Sequence, residues 1–149
     1  MTAKVTLMAH HGLPETITGQ QDLFSFMMQL SGESFRKVRG RETLRVSLAG
    51  QSYFIKKHFG VGWKEIFKNL ISAKKPVLSA RNEWEAILQL DKIGIPTTAL
   101  VAYGVSGWNP ASRQSFVLTR DLGEIITLED LTAEWLTHPP ELHLKRQLI

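Results

Sequence analysis

The clearest order in the chain is the alternation of apolar and polar side chains. Residues 43–49 (TLRVSLA) place Leu44, Val46 and Leu48 on one side and Thr43, Arg45 and Ser47 on the other, the period of a half-buried strand. Gly50-Gln51 turns the chain, and Ser52 to His58 returns as the second strand of a hairpin. Phe35 to Val38 predicts a strand before it; Ala99 to Gly104 and Ser115 to Thr119 predict two more around a turn at GWNP. Elsewhere the period becomes helical. In Gly62 to Ser72, Trp63, Ile66, Phe67, Leu70 and Ile71 recur at i, i+3, i+4, i+7 and i+8, and Pro76 ends the unit. A second helix starts near Ser79, a capping residue type, and stops at Gly94 with Pro96 beyond. Thr127 to Leu136 predicts another. Residues 1–33 are weakly patterned, with a short helix in DLFSFMMQL whose apolar groups pack on the sheet. The pattern is that of an α+β domain without internal repeats.

Two charged residues interrupt these patterns. Lys56 follows Ile55 where an alternating apolar run would bury a side chain, on the same side as Phe54 and His58. In the helix from Ser79, Ile93, Ala86, Leu90, Ile87, Trp84 and Leu88 cover one broad face, with Glu83 in its middle. A carboxylate there must be protonated, reach solvent or meet a cation. A first-turn glutamate favoured by the helix dipole is the plainer alternative. Lys56 and Glu83 suit each other as an ion pair.

With 149 residues, 43% of them hydrophobic, the chain suits one domain and can bury a core. Cysteine is absent, which removes disulfides and thiol chemistry. No apolar run approaches the ~20 residues that span a bilayer, and MTAKVTLMAHHG lacks the marks of a secretory signal. Both point to a cytoplasmic protein. The net charge of +4 conceals a sharper asymmetry: twelve Lys/Arg lie between Arg36 and Arg81 beside only Glu42 and Glu65, whereas Asp121 to Glu134 holds five acids and no base. Such a basic region attracts phosphates, nucleic acid or anionic lipid, or is simply a solvated face.

The order of hairpin, strand lysine and helix glutamate is also that of a protein-kinase N-terminal lobe, and YFIK resembles its V-A-I-K strand. The runs GRETLR (40–45), YFIKKHFGVGWKEIFKNL (53–70), KPVLSARNEW (75–84), VAYGVSGWNPA (101–111) and HPPELHLKRQLI (138–149) resemble the lipopolysaccharide core heptose(I) kinase family. The resemblance covers Ser34 to Ile149. It implies a kinase-like N-terminal lobe with an antiparallel sheet of about five strands and packed helices. The implied division is an extension at 1–33, the lobe at 34–119, and the hinge with the start of a truncated C-terminal lobe at 120–149.

The resemblance also implies roles. Lys56 orients the ATP phosphates and Glu83 holds it; Gly40 and Arg41 lie in the turn over the phosphates; backbone groups of Arg120, Asp121 and Leu122 meet adenine. No G-x-G-x-x-G is present, so Arg41 or Arg45 would supply charge where a glycine-rich loop would cradle phosphate. The implied reaction moves the γ-phosphoryl group of ATP, with Mg²⁺, to a heptose of the lipopolysaccharide inner core.

No H-R-D-like or D-F-G-like segment occurs, so no catalytic residue and no metal ligand is assigned, and the chain reads as an inactive N-lobe fragment. His138 and His143, flanking Pro139-Pro140, are poor metal candidates. The alternative to a kinase is a non-catalytic basic module. Trp63, Phe54 and Tyr53 would let such a module bind single-stranded nucleic acid, but they occupy core-like positions and no nucleic-acid motif is present. The helix WKEIFKNLI with Lys64, Lys68, Lys74 and Lys75 would rest on an anionic inner-membrane surface. That placement is compatible with a kinase whose acceptor is lipid-linked.

Overall fold

The hairpin read from residues 43–58 forms the middle of a six-stranded antiparallel sheet. The computed structural model describes residues 5–9, 13–19, 21–71, 79–135 and 137–147. Strands β1 (Val5–Ala9), β2 (Glu33–Val38), β3 (Arg41–Leu48), β4 (Gln51–Phe59), β5 (Leu100–Ser106) and β6 (Gln114–Arg120) take the order β1-β5-β6-β4-β3-β2. The five strands from β2 to β6 match the expected number. A sixth, β1, comes from the weakly patterned N-terminal segment and pairs with β5. The β3–β4 turn is Ala49-Gly50, both at positive φ, one residue earlier than the sequence indicated.

Helices cover both faces of the sheet. On one side α2 (Leu23–Gln29), capped by the Asp22 side chain on the Ser25 amide, buries Phe24 and Met27. They join Leu44, Val46, Tyr53, Ile55, Phe116 and Leu118 in the main core, with Phe24 and Phe116 rings 5.6 Å apart. The short α1 (Glu15–Thr18) adds Ile17. On the other side α4 (Arg81–Lys92) stacks Trp84 on Tyr103, centroids 4.6 Å apart, over Val117. The hydroxyl of buried Ser115 on β6 accepts from the Ala80 amide and fixes the start of α4 on the sheet. The N-cap is Ala80, which makes no side-chain cap bond, so the cap expected at Ser79 is displaced; the Ser79 hydroxyl accepts from the Arg81 amide from one residue further out.

Three helical expectations change. Ala86 and Ile93, assigned to the apolar face of α4, are exposed, whereas Trp84 and Leu88 pack on Tyr103 and Val117 of the sheet. In α3 (Gly62–Ile71), Ile66 is buried but Trp63, Phe67 and Ile71 face solvent; helical periodicity marks a face without saying what covers it. The core-like placement expected for Trp63 is thereby overturned, while Tyr53 is fully buried as expected. The helix expected over Thr127–Leu136 is only α5 (Leu128–Thr132), capped by Thr127, and a last helix α6 spans Leu142–Gln147. Ser72, Lys74, Lys75 and Pro76 lie outside the described residues.

The β4–α3 junction is a close approach. A Cβ on Gly60 would sit 2.7 Å from the Ala111 carbonyl oxygen, and that oxygen accepts from the Gly62 amide at 2.9 Å. Gly60 also holds φ +62°, so both space and backbone favour glycine there.

Candidate active-site cleft

Strand alternation and register decide what faces α4. Because β3 and β4 pair Thr43 with Lys56 and Arg41 with His58, these four residues share one face, and β6 contributes Val117 beside Lys56. Helix α4 lies over that face with Glu83 in its first turn. The result is a cleft of about 360 Å³ whose lining includes Arg36, Arg41, Thr43, Lys56, His58 and Glu83.

Lys56 Nζ donates to Glu83 Oε1 within this cleft, joining residues 27 positions apart. Neither group is sealed from water, since the side chains keep 44% and 33% of their exposure. The pair is therefore a tethered, solvent-reachable ammonium rather than a buried structural bridge. Such an ammonium can meet an incoming anion without being desolvated first.

His58 is buried beside this pair. Burial is the main cause that lowers its pKa; Arg41 and Lys56 add repulsion of the protonated ring, and Glu83 opposes them. The imidazole is thus held neutral near pH 7, leaving the lysine and the arginines as the positive charge of the cleft. Sequence reasoning passed over His58 and also Arg36. No sequence signal marks Arg36; a β-bulge places it, since Ser34 pairs with Leu44 but Arg36 pairs with Thr43, so Phe35 and Arg36 are both displaced. Arg36 consequently lines the cleft, while the Phe35 ring meets Phe54 edge-on at 5.0 Å on the same face as Lys56.

Gly40 occupies the β2–β3 turn at φ +74°, where a Cβ would press on Val61 at 3.2 Å. Its carbonyl accepts from the Phe59 amide at 2.9 Å, tying the turn back to β4. Arg41, the next residue, opens into the cleft. Arg45 does not, and this corrects its expected use as a phosphate charge: it lies at the far end of β3, where Nε bonds Asp121 Oδ2 at 2.6 Å.

Arg120 ends β6, and Asp121 and Leu122 leave the sheet after it in non-helical backbone. The Arg120 amide donates to Ala99 O and the Asp121 amide to Ser52 O. The Asp121 carboxylate also accepts from Ser52 Oγ at 2.7 Å and from the Gly123 amide at 2.9 Å. The Ser52 bond, first among these, and then the Gly123 and Arg45 bonds hold its pKa below the usual value of 3.8. The structure thus brings Gly40, Arg41, Lys56 and Glu83 to one end of the β3–β4 ribbon and Arg120–Leu122 to the other, with Phe54 between on the Lys56 face.

A second lysine was missed. Lys57 points to the opposite face from Lys56, where it is buried and its Nζ donates to the carbonyl of Leu30, at the C-terminus of α2. Burial lowers its pKa, with Glu42 across the strand pair working the other way. Adjacent lysines in one dipeptide therefore serve opposite sides of the sheet.

A profile of the lipopolysaccharide kinase (Kdo/WaaP) family matches residues 25–149. The chain belongs to this family. It is 47% identical over 134 residues to the lipopolysaccharide core heptose(I) kinase WaaP of Escherichia coli, covering 90% of this chain and 51% of the relative. It is 44% identical over 129 residues to the corresponding Pseudomonas aeruginosa PAO1 kinase, covering 87% and 48%. A solved structure titled "WaaP in complex with acyl carrier protein" superposes with TM-score 0.74 at 32% identity over 96% of this chain and 52% of that one. The fold is therefore the α+β lobe of the Kdo/WaaP kinases, and the chain spans about half the length of the curated relatives it matches. Among the described residues no helix is long and apolar enough to cross a membrane.

Proposed function

We propose that this chain supplies the nucleotide-binding half of an ATP-dependent kinase that phosphorylates a heptose of the lipopolysaccharide inner core. The observation that carries the reading is the Lys56–Glu83 contact inside a cleft bordered by Arg36 and Arg41. A phosphate chain would meet Lys56 and the two arginines, with Glu83 keeping the ammonium in place. At about 3.4 Å per residue, the four steps from Ser52 to Lys56 cover roughly 14 Å, a span suited to a base at one end and phosphates at the other. Phe54, steadied by Phe35, offers the base an apolar platform between them. Because the amides of Arg120 and Asp121 are engaged and the Arg120 carbonyl accepts from Thr98 Oγ1, adenine contacts would fall to the Asp121 carbonyl and to Leu122.

The residues present fit a nucleotide better than they fit its metal. Among the described residues no group of three His, Asp or Glu side chains could hold an ion, so no Mg²⁺ ligand is assigned here. When bound, Mg²⁺ would neutralise charge on the transferring phosphate. The relatives are core heptose(I) kinases, which supports the heptose as acceptor, and the acyl carrier protein bound to the solved relative is a further proposed partner. A lipid-linked acceptor places the working enzyme at the cytoplasmic surface of the inner membrane.

The test is to join this chain to the remaining half of the Escherichia coli relative and assay magnesium-dependent phosphotransfer from ATP to heptose-bearing core. Activity that Lys56→Ala abolishes, with the melting temperature unchanged, supports the reading. Full turnover by the Lys56→Ala enzyme overturns it.

A further inference from the structure

The exposed side of α3 has no role in the nucleotide cleft. Trp63, Phe67 and Ile71 stand at i, i+4 and i+8, the spacing of a single stripe, and retain 51%, 57% and 87% of their exposure. The Trp63 and Phe67 rings lie together, centroids 6.0 Å apart. Ile66, on the adjoining face of the same helix, is buried, so the stripe lies on the outward side of α3. Lys64 and Lys68, each one position after a stripe aromatic, are exposed as well. A second exposed tryptophan is close in topology: Trp108 is 76% exposed on the β5–β6 turn, and the same turn receives the Gly62 amide through Ala111 O.

We propose that α3 is a membrane-surface element that lays Trp63, Phe67 and Ile71 into the headgroup region of an anionic bilayer while Lys64 and Lys68 meet lipid phosphates. The chemistry favours lipid over an acidic protein. Trp is amphipathic and suits the boundary between headgroup and acyl chain, and a narrow apolar stripe bordered by ammonium groups matches a planar interface. A helix of ten residues is about 15 Å long, so it lies along a surface and does not cross one. The Trp108 turn, tied to the helix start, gives the surface a second contact. This proposal is independent of the kinase reading, since it uses none of the cleft residues.

The experiment is co-sedimentation of the 149-residue chain with vesicles of phosphatidylcholine containing phosphatidylglycerol, compared with phosphatidylcholine alone. Tryptophan emission is followed in parallel. Binding to the anionic vesicles alone, weakened by salt and accompanied by a blue shift, is expected. Removing one lysine near an anionic surface is worth about 1 kcal/mol, or about fivefold, so Lys64→Gln with Lys68→Gln should weaken binding roughly 25-fold. Phe67→Ser with Ile71→Ser should abolish it with circular dichroism unchanged, as both side chains are already in water. Equal binding to neutral vesicles, or unchanged binding by both double variants, overturns the proposal. So does capture of the stripe by an acidic acyl carrier protein without vesicle binding. Loss of vesicle binding once the chain is joined to the remaining half of the Escherichia coli relative also overturns it, because that half would then cover the stripe.

Discussion

Lys56 and Glu83 meet across the opening between β4 and α4 while both remain a third or more exposed. That exposure separates their role in function from their role in folding. Removing one partner of a sealed ion pair typically costs on the order of 3–5 kcal/mol, whereas an exposed pair contributes about 0–1 kcal/mol. Lys56→Ala and Glu83→Ala are therefore expected to shift urea unfolding of this chain by less than about 1 kcal/mol. In the joined kinase both should nonetheless remove most phosphotransfer. A loss of several kcal/mol in the unfolding experiment would show a structural pair instead.

Asp121 ties the segment after β6 to the β3–β4 hairpin through Arg45 and Ser52, and accepts from the Gly123 amide within its own segment. Its carboxyl pKa is lowered in the folded state, so the ionised form is favoured there. The associated stability is present above pH 3.8, the ordinary value, and is lost as pH falls through the lower folded value. Asp121→Asn should flatten this acid limb in a thermal-melt series. In the joined kinase it should raise KM for ATP more than it lowers kcat, since the variant loosens the adenine end and leaves the phosphate end intact.

His58 has the same sign for a different reason. Its pKa is depressed from 6.5, chiefly by burial, so the unfolded chain takes up a proton before the folded one. Stability is then greatest above the unfolded value and declines as pH is lowered through about 6.5 and below. His58→Gln should make the melting temperature less pH-dependent between about pH 7.5 and 5.5. An unchanged slope would show that other groups carry the dependence.

Gly60 and Gly50 both hold positive φ, but only Gly60 has a carbonyl where a Cβ would go. Gly50→Ala meets open space and should cost only the backbone term, about 1–2 kcal/mol. Gly60→Ala should cost more, because the β4–α3 turn must also move off Ala111. Equal midpoints for the two variants in urea unfolding would contradict this.

The central hairpin was legible because β3 alternates, and alternation by itself determines which of its residues share a face: Leu44, Val46 and Leu48 against Thr43 and Arg45. The same logic placed Lys56 with Phe54 and His58, and helical spacing brought Glu83 to the side of α4 that packs on the sheet. Local periodicity says nothing about distance between elements, so the contact of Lys56 with Glu83 required the packing of α4 on β5 and β6, through Trp84 on Tyr103 and the Ala80 amide on Ser115. Nor does it say whether an apolar face is covered. Trp63, Phe67 and Ile71 have the spacing of a core stripe yet face water, while Ile66 on the adjoining face of α3 is buried. The bulge at Phe35-Arg36 and the diversion of Arg45 to Asp121 were equally invisible, since register and side-chain partners are set by neighbours 7 to 76 residues away. Sequence order determined the elements and their faces; tertiary packing decided which charges share a site.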